Sequence, residues 1–421
     1  MTMRLLTGDC RDVLKTLPAC SVDAIVTDPP YHLTANKKGG TGVASVNLDT
    51  PHGRARIGTG NGLGGFMGMS WDGGDVAFQP ATWAAALRVL KPGGYLVAFG
   101  GTRTYHRLVC AIEDAGFEVR DTLAWLYGSG FPKSTDKAKI PAAWQGWNTA
   151  LKPAHEPICL ARKAMDGTLA ENLAKWGTGA LWVDGCRIGT DEDLNGEAYS
   201  EHAQQRTGAW VETRRGDTNS MRNGGAGEYA QPAGRWPANV LHDGSDEVLA
   251  LFPASNSTRA SGNPNEPRRG ANHTATSYGQ GDDTPTHDHR DTGSAARFFY
   301  CAKASRAERN EGLPSSGKSA VGTGATMRQC EDADWAARNG NNHPTVKPLA
   351  LMRWLIRLVT PPGGTLVDPF VGSGTTLKAA ELDGYQAIGI ELDPAHTEIA
   401  RRRIGADAPL FAATANQEST A

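Results

Sequence analysis

Apolar and polar positions along this chain follow two periods, and the places where the pattern holds or fails divide it into zones. From residue 3 to about residue 163, short apolar runs of strand length alternate with segments whose apolar residues recur three and four apart. "MRLLTGD" predicts a short strand, residues 12–17 a helix, and "SVDAIVTD" a buried strand. A glycine-rich interruption follows over residues 37–74, including "GTGNGLGGFMG"; it is too long for an ordinary connection, and such loops are functional or disordered. "ATWAAALRVL" then predicts a helix closed by Lys91-Pro92-Gly93-Gly94. "YLVAFG" reads as a strand, "YHRLVCAIEDAG" as a helix with a glycine stop, "FEVRDTLAWLYG" as an extended piece and "EPICLAR" as a further strand. This alternation predicts an α/β fold, a parallel or mixed sheet flanked by helices.

Between about residues 164 and 342 the periodicity largely fails. "RTGAWVETRRGDTNSMRNGGAGEY" and "ASGNPNEPRRGANHTATSYGQGDDTPTHDHRD" are rich in Gly, Asn, Thr, Asp and Arg and cannot build a conventional core unaided. "GRWPANVLHD" and "AARFFYCAKAS" are apolar islands expected to pin this zone to the main body. Regular alternation returns over residues 343–405: helix "PLALMRWLIRLV", strand "GTLVDPF", helix "TTLKAAELDG", strand "QAIGIEL", helix "AHTEIARRRI". Residues 406–421 are expected to fray.

Composition narrows the class. The 421 residues are 39% hydrophobic and 21% charged, which suits a soluble globular chain, while 51 glycines and 24 prolines call for extensive loops. A net charge of -2 means that any nucleic-acid partner must be met by a local basic surface. Seven scattered cysteines form no CxxC pair, so neither a zinc site nor a secreted disulfide framework is indicated. No apolar run approaches a membrane span, and "MTMRLLTGDC" has no apolar leader, so a cytoplasmic setting is expected.

The run "GGTLVDPFVGSGTTLKAAELDGYQAIGIELDP" carries the first functional signal. A buried strand ends at Asp368, a turn containing Gly372 and Gly374 follows, a helix starts near Thr375, and a second strand ends in Glu391. Glycines there let backbone pass close to a ligand, and the new helix offers free N–H groups. An acid after the second strand is placed to accept hydrogen bonds from two ribose hydroxyls. The pattern describes a nucleoside-cofactor site at the carboxyl edge of a sheet. The dinucleotide fingerprint GxGxxG lacks its third glycine here, since Leu377 follows Gly372-Ser373-Gly374-Thr375-Thr376.

"AIVTDPPY", residues 24–31, carries the second. An exocyclic amine on a nucleobase is a poor nucleophile because its lone pair is delocalised into the ring. Asp28 can accept one of its N–H groups and the main-chain carbonyl of Pro29 the other, with Pro29 and Pro30 restricting φ and so fixing the aim of that carbonyl. Tyr31 can stack on the base, a contact worth about 1–3 kcal/mol. A strand ending in ordinary turn chemistry is the plain alternative, and alone the tetrapeptide does not decide between the two.

Together, "TDPPY" and "DPFVGSGTT" resemble motifs IV and I of the S-adenosylmethionine-dependent amino-group DNA methyltransferases. Their order, catalytic motif before cofactor motif, resembles the circularly permuted β class. "LLTGDCRDVL" resembles that family's motif III, which implies that Asp9 and Cys10 lie near the cofactor's adenine; "HPTVKPLALMRWLI" resembles motif X, which implies that Lys347 and Pro348 lie near its amino-acid end. Asp368, Phe370, Gly372, Gly374 and Glu391 fall on the cofactor motifs. "LKPGGYLVAFG" and "HEPICLARK" resemble later catalytic-half motifs, and "GRWPANVLHD" and "SRAERN" resemble phage and prophage methylases. The resemblance implies a Rossmann-like methyltransferase sheet with helices on both faces and a large irregular insert. It divides the chain into a catalytic half (1–163), a variable DNA target-recognition region (164–342), a cofactor half (343–405) and a tail (406–421). One continuous sheet would bring Asp9, Gly372 and Glu391 together although they are distant in sequence.

The implied activity is site-specific transfer of a methyl group to adenine N6 of a base flipped out of double-stranded DNA. Aspartate opening the tetrapeptide leans toward adenine, with cytosine N4 the nearest rival. RNA or protein amides, a nicotinamide-dependent oxidoreductase and a catalytically silent DNA-binding relative stay open as alternatives. No metal is required, and His287-Asp288-His289 reads as surface histidines. Arg206, Arg214, Arg215, Arg222, Arg268, Arg269 and Arg290 could meet phosphates, and Phe66 or Trp71 could stack on a flipped base; solvated loop and core packing explain them equally well. A homodimer and a cognate restriction nuclease stay open as partners.

Overall fold

The computed structural model describes residues 2–31, 75–128, 130, 140–148, 150–190, 233–256, 292–302 and 346–404. Expectations placed on Phe66 and Trp71, on the seven arginines between 206 and 290, and on the His287 cluster lie outside these residues.

The larger of two compact units comprises residues 1–186, 238–248 and 300–421. In chain order its elements begin with β1 (Met3–Thr7), α1 (Cys10–Thr16), β2 (Val22–Thr27), α2 (Pro80–Val89), β3 (Leu90–Phe99), α3 (Tyr105–Asp114), β4 (Glu118–Leu126), β5 (His155–Arg162) and α4 (Leu169–Trp176). β6 (Val240–His242) comes next; β7 (Ala254–Asn256) and β8 (Thr292–Ser294) belong to the smaller unit. β9 (Tyr300–Cys301), α5 (Leu349–Val359), β10 (Thr365–Asp368), α6 (Thr375–Leu382), β11 (Gln386–Glu391) and α7 (Pro394–Ile404) complete the larger one.

Among the described residues, nine strands form one sheet in the order β1-β11-β10-β2-β3-β5-β4-β6-β9. β5 runs antiparallel to β3 and β4, and every other neighbouring pair is parallel. The parallel strands therefore share one carboxyl edge, where ligands bind in open α/β sheets.

The side-chain period of two builds the core on both faces. All six residues of β2 are buried. Ala24 and Val26 join Val97, Phe99, Met352, Trp354, Leu355 and Leu377 on one face, under α5 and α6. Ile25 joins Leu96, Ala98, Trp83, Ala86, Leu14 and Leu108 on the other, under α1, α2 and α3. A strand buried on both faces reads as a continuous apolar run, which is why "DAIVTD" was legible.

Three departures from the sequence expectation have local causes. α1 starts at Cys10, ahead of residue 12, because the Asp9 side chain accepts the Arg11 N–H at 2.9 Å and caps the helix. The expected stop Lys91-Pro92-Gly93-Gly94 is instead the irregular beginning of β3. There Gly93 N–H reaches the Lys163 carbonyl at 3.1 Å, Lys163 N–H returns to the Gly94 carbonyl at 2.9 Å, and the register against β2 shifts between Val22 and Ala24. α4 lies where no helix was expected. Thr168 and Glu171 form a reciprocal capping box, and Gly177 ends the helix at φ +71°, so the signal was present as Thr-x-x-Glu and a terminal glycine.

The islands "GRWPANVLHD" and "AARFFYCAKAS" each supply a short strand: β6 pairs with β4, and β9 with β6.

The smaller unit, residues 187–237 and 249–299, holds the β7–β8 ladder and a bridge between Ile188 and Arg235. Its packing is aromatic and cationic: the Arg187 guanidinium lies 5.5 Å from the Trp236 ring, Arg235 lies 5.0 Å from Phe298, and the Phe252 and Phe299 rings are 5.2 Å apart. Among the described residues no helix is long and apolar enough to cross a membrane.

Candidate active site

Four adjacent strands, β1, β11, β10 and β2, deliver the sequence-predicted residues to the carboxyl edge. Thr7 is level with Glu391, Asp368 with Gly389, and Val367 with Ile25. Glu391 ends β11, and the segments that leave β1, β10 and β2 carry Asp9, Gly372 and Asp28, so one edge collects residues up to 382 positions apart.

Asp368 ends β10 and is buried. Burial pushes its carboxyl up to about 6, against hydrogen bonds from Thr27, Thr376 and the Phe370 N–H that favour the charged form. Thr27 Oγ1 donates to Asp368 Oδ1 at 2.6 Å, and Phe370 N–H at 3.0 Å. The chain then turns through Gly372 at φ +51° and Gly374 at φ +85° into α6. Gly374 also admits α7: a Cβ there would lie 2.9 Å from the Ala400 Cβ. The Arg403 guanidinium, buried under this turn, donates to the Ser373 carbonyl at 2.6 Å, to its Oγ at 2.8 Å and to Thr375 Oγ1 at 3.1 Å.

Glu391 ends β11 and faces the same turn. Its Oε2 accepts the Gly372 N–H at 2.9 Å, its Oε1 accepts the Asp393 N–H at 3.0 Å, and His396 Nδ1 lies 3.7 Å from Oε1. Burial would raise this carboxyl, but His396 and the two N–H groups outweigh it and hold Glu391 below the usual range. The same contact raises His396. Oε2 has a single donor and keeps a second lone pair, so a hydroxyl brought to this edge can still be held.

Asp28 follows β2, with Pro29 buried and Pro30 half-buried behind it. Tyr31 Oη lies 2.8 Å from Asp28 Oδ1 and 3.1 Å from Glu156 Oε2. Lys347 Nζ donates to Asp28 Oδ2 at 2.7 Å and to Tyr31 Oη at 3.1 Å, and it pairs with Glu156 Oε2 at 3.0 Å. The ammonium also lies 4.8 Å from the centre of the Phe99 ring. Burial by itself would lower the Lys347 pKa; the two carboxylates outweigh it, so the side chain is held charged. Burial, and then the same two charges, raise the Tyr31 hydroxyl well above its ordinary value, which keeps it a donor.

Backbone fixes the tetrapeptide from the other side. Thr104 Oγ1 donates to the Tyr31 carbonyl at 2.8 Å, and a Cβ on Gly101 would lie 3.1 Å from the Tyr31 ring, so the ring rests directly on that backbone. Pro348 caps α5, which positions the preceding Lys347 at the sheet edge; the Met352 N–H binds the Pro348 carbonyl at 3.1 Å.

Asp9 is committed to local structure: its carboxylate takes the Arg11 N–H, Nε at 3.0 Å and Nη2 at 2.6 Å, and the Arg11 guanidinium lowers its pKa. Cys10 is buried, and burial pushes its thiol up to about 12, so it stays neutral and packs as a small apolar group. Phe370 joins the same cluster, with its ring 6.3 Å from that of Trp83.

Sequence reasoning did not single out Glu156, Thr27, His396 or Arg403. Glu156 was visible as an acid opening an otherwise apolar strand in "HEPICLARK", whereas Arg403 looked like one more cation at a solvated helix end. Among the described residues no group of three or more His, Cys, Asp or Glu could hold a metal ion. The glycine turn, the anchored Glu391 carboxylate with a lone pair to spare on Oε2 and the half-buried Phe370 ring suit a nucleoside-bearing cofactor.

A family match spans most of the chain, from β2 to α7. The sequence profile of the N6/N4 methyltransferases, described as DNA methylase, matches residues 22–402. The type II methyltransferase M2.DpnII of Streptococcus pneumoniae is 39% identical over 87 residues, 21% of this chain and 30% of its own. The type II methyltransferase M.HindIII of Haemophilus influenzae is 36% identical over 106 residues, 22% of this chain and 34% of its own. The match thus spans about a third of the length of these curated relatives. The solved PvuII DNA methyltransferase, cytosine-N4-specific, is 15% identical with a TM-score of 0.40, covering 96% of this chain and 86% of its own, a likeness too slight to bear on fold or activity.

Proposed function

Since the chain belongs to the N6/N4 DNA methylase family, we propose that it is a site-specific DNA methyltransferase acting on the exocyclic amine of a flipped base, adenine N6 in the first instance. The observation that carries this reading is the junction of the two motifs: Asp28 to Tyr31 leave β2 directly beside the Asp368–Gly374 turn of β10, and Thr27 and Asp368 are hydrogen-bonded to each other. A bound amine and a bound methyl donor would therefore meet over one strand boundary.

In this reading S-adenosylmethionine, held by Glu391, Phe370 and the Gly372–Gly374 turn with Asp9 and Cys10 nearby, supplies a methyl group on a cationic sulfur. The rest is positioning by the protein. Asp28 accepts one N–H of the amine; both its oxygens already have a donor, but each retains a second lone pair for another. The Pro29 carbonyl accepts the other N–H, which turns the nitrogen lone pair away from the base ring. Tyr31, its hydroxyl tied to Asp28, Glu156 and Lys347, offers its ring face to the base. Asp28 favours the positive charge that develops on nitrogen and need not be a strong base.

Residues 1–163 and 343–405 form the catalytic and cofactor halves of a permuted methyltransferase, and residues 164–342 read the target. Aspartate at position 28 supports adenine over cytosine N4. The free thiols of all six described cysteines suit a reducing cytoplasm. Methylation-sensitive sequencing of DNA from cells expressing the protein tests the proposal. Methyl groups should appear at one sequence context, on adenine N6, and disappear with Asp28→Ala. A chain that marks no base, or marks equally without Asp28, sinks it; N4-methylcytosine would move the substrate and leave the chemistry.

A further inference from the structure

We propose that Glu156 is a positioning residue that keeps the Asp28 site net negative, and that it thereby favours a cationic methyl donor over the neutral product left after transfer. The inference rests on the methyltransferase reading above and adds to it a residue that neither signature motif contains.

The geometry poses a problem that Asp28 cannot solve alone. Its carboxylate is 2.7 Å from the Lys347 ammonium, and both side chains are largely withdrawn from water, at 19% and 7% exposure. An aspartate paired so closely with a permanent cation presents a nearly neutral face. Glu156, at 20% exposure and 3.0 Å from the same ammonium, changes the count: two carboxylates against one ammonium leave the cluster with one net negative charge. Tyr31 distributes that charge, because its hydroxyl lies within hydrogen-bond distance of both carboxylates and accepts from Lys347. Glu156 is held in place by β5, where it pairs with Trp125 of β4.

The sign suits the reaction. As the N–C bond forms and the S–C bond breaks, the bonding pair returns to sulfur, which becomes a neutral thioether, and the positive charge passes to the amine nitrogen. The nitrogen then loses a proton to Asp28 or to water. A net negative cluster favours the charge before and during this transfer, and no longer favours the ligand once sulfur is neutral. Without Glu156, Lys347 would cancel Asp28 while leaving its hydrogen bond intact.

Glu156→Gln removes the charge and keeps the shape and an acceptor for Tyr31. Calorimetric titration with S-adenosylmethionine and with S-adenosylhomocysteine, which differ in the sulfonium charge, reads the effect without turnover. The expected result is a loss of about tenfold in affinity for the sulfonium, the order expected for one charge acting across several ångströms of partly buried protein. Affinity for the thioether should stay within about twofold and kcat should fall. Glu156→Asp should recover the preference for the sulfonium. In the double variant E156Q/K347Q, Asp28 is again a lone negative charge and the preference should return as well. An equal loss for both ligands in Glu156→Gln, as misplacement or misfolding would cause, overturns the proposal, and so does an unchanged ratio. If the unaltered protein binds neither ligand, the methyltransferase reading itself has failed; if it binds both and transfers methyl groups, only the role of Glu156 is at stake.

Discussion

Thr27 donates a 2.6 Å hydrogen bond to Asp368 across two neighbouring strands whose positions in the chain differ by 341 residues. Both side chains are buried, and the bond ties the strand that presents Asp28 to the strand that opens the glycine turn.

Thr27→Val keeps the size of the side chain and deletes the donor. A buried carboxylate loses one of the groups that offset its burial, at a cost of about 1–3 kcal/mol. Urea denaturation should show a lower midpoint with an unchanged slope. Asp368, already raised to about 6, should rise further. Because a raised carboxyl favours folding at low pH and loses that favour as pH climbs through its folded value, the variant's deficit should be larger at pH 8 than at pH 5. A deficit independent of pH would mean that Thr27 acts by packing alone.

Most of the sheet could be read from the chain because β2, β3, β10 and β11 are buried on both faces and show as apolar runs bounded by turns. Their spatial order could not. Nothing local in "MRLLT" says that it lies beside "QAIGIE", since parallel pairing is fixed by contacts between distant segments. The site shows the same division. Asp28, Tyr31, Gly372 and Glu391 stood out because each sits in a short run whose chemistry is local. Glu156 and Arg403 acquire meaning only from partners far along the chain, Lys347 at 3.0 Å and Ser373 at 2.6 Å.

Gly374 and Gly363 separate backbone strain from steric closure. Both have positive φ, +85° and +72°, but a Cβ at 374 meets Ala400 at 2.9 Å while a Cβ at 363 has nothing within 4 Å. Gly363→Ala should cost about 1 kcal/mol, the strain of the left-handed region alone. Gly374→Ala adds a clash with α7 and should cost about 2–4 kcal/mol. Melting temperatures of the two variants provide the comparison; equal shifts would show that α7 yields freely.

Glu391 and His396 make the edge beside the Gly372–Gly374 turn sensitive to pH in two directions. His396 is raised above its ordinary 6.5, so its contribution is complete below that value and fades as pH climbs through the folded pKa. Glu391 is lowered from 4.5, so its contribution is present above that value and fades as pH falls through the folded pKa. The pair is therefore strongest between the two. His396→Gln should flatten the decline in thermal stability above pH 6.5 and also shrink the acid limb, because His396 is the largest of the groups that hold Glu391 low. A variant whose alkaline limb matches the parent would remove the pair from the account.

Lys347→Met tests what holds two carboxylates together. Asp28 and Glu156 share the ammonium at 2.7 and 3.0 Å, and Tyr31 has a single proton to offer between them. Methionine fills the space of the lysine stem but leaves two like charges facing each other with reduced access to water. Removing one partner from a buried ionic group costs about 3–5 kcal/mol, because the remaining charge is uncompensated. Protonation relieves the conflict, so one carboxyl in the variant should have a raised pKa. By the linkage sign, stability should then be recovered as pH falls and lost as pH rises through that value. The deficit measured by denaturant titration should be largest at pH 8 and shrink toward pH 5. Equal deficits at both values would mean that Lys347 contributes through packing rather than through its charge.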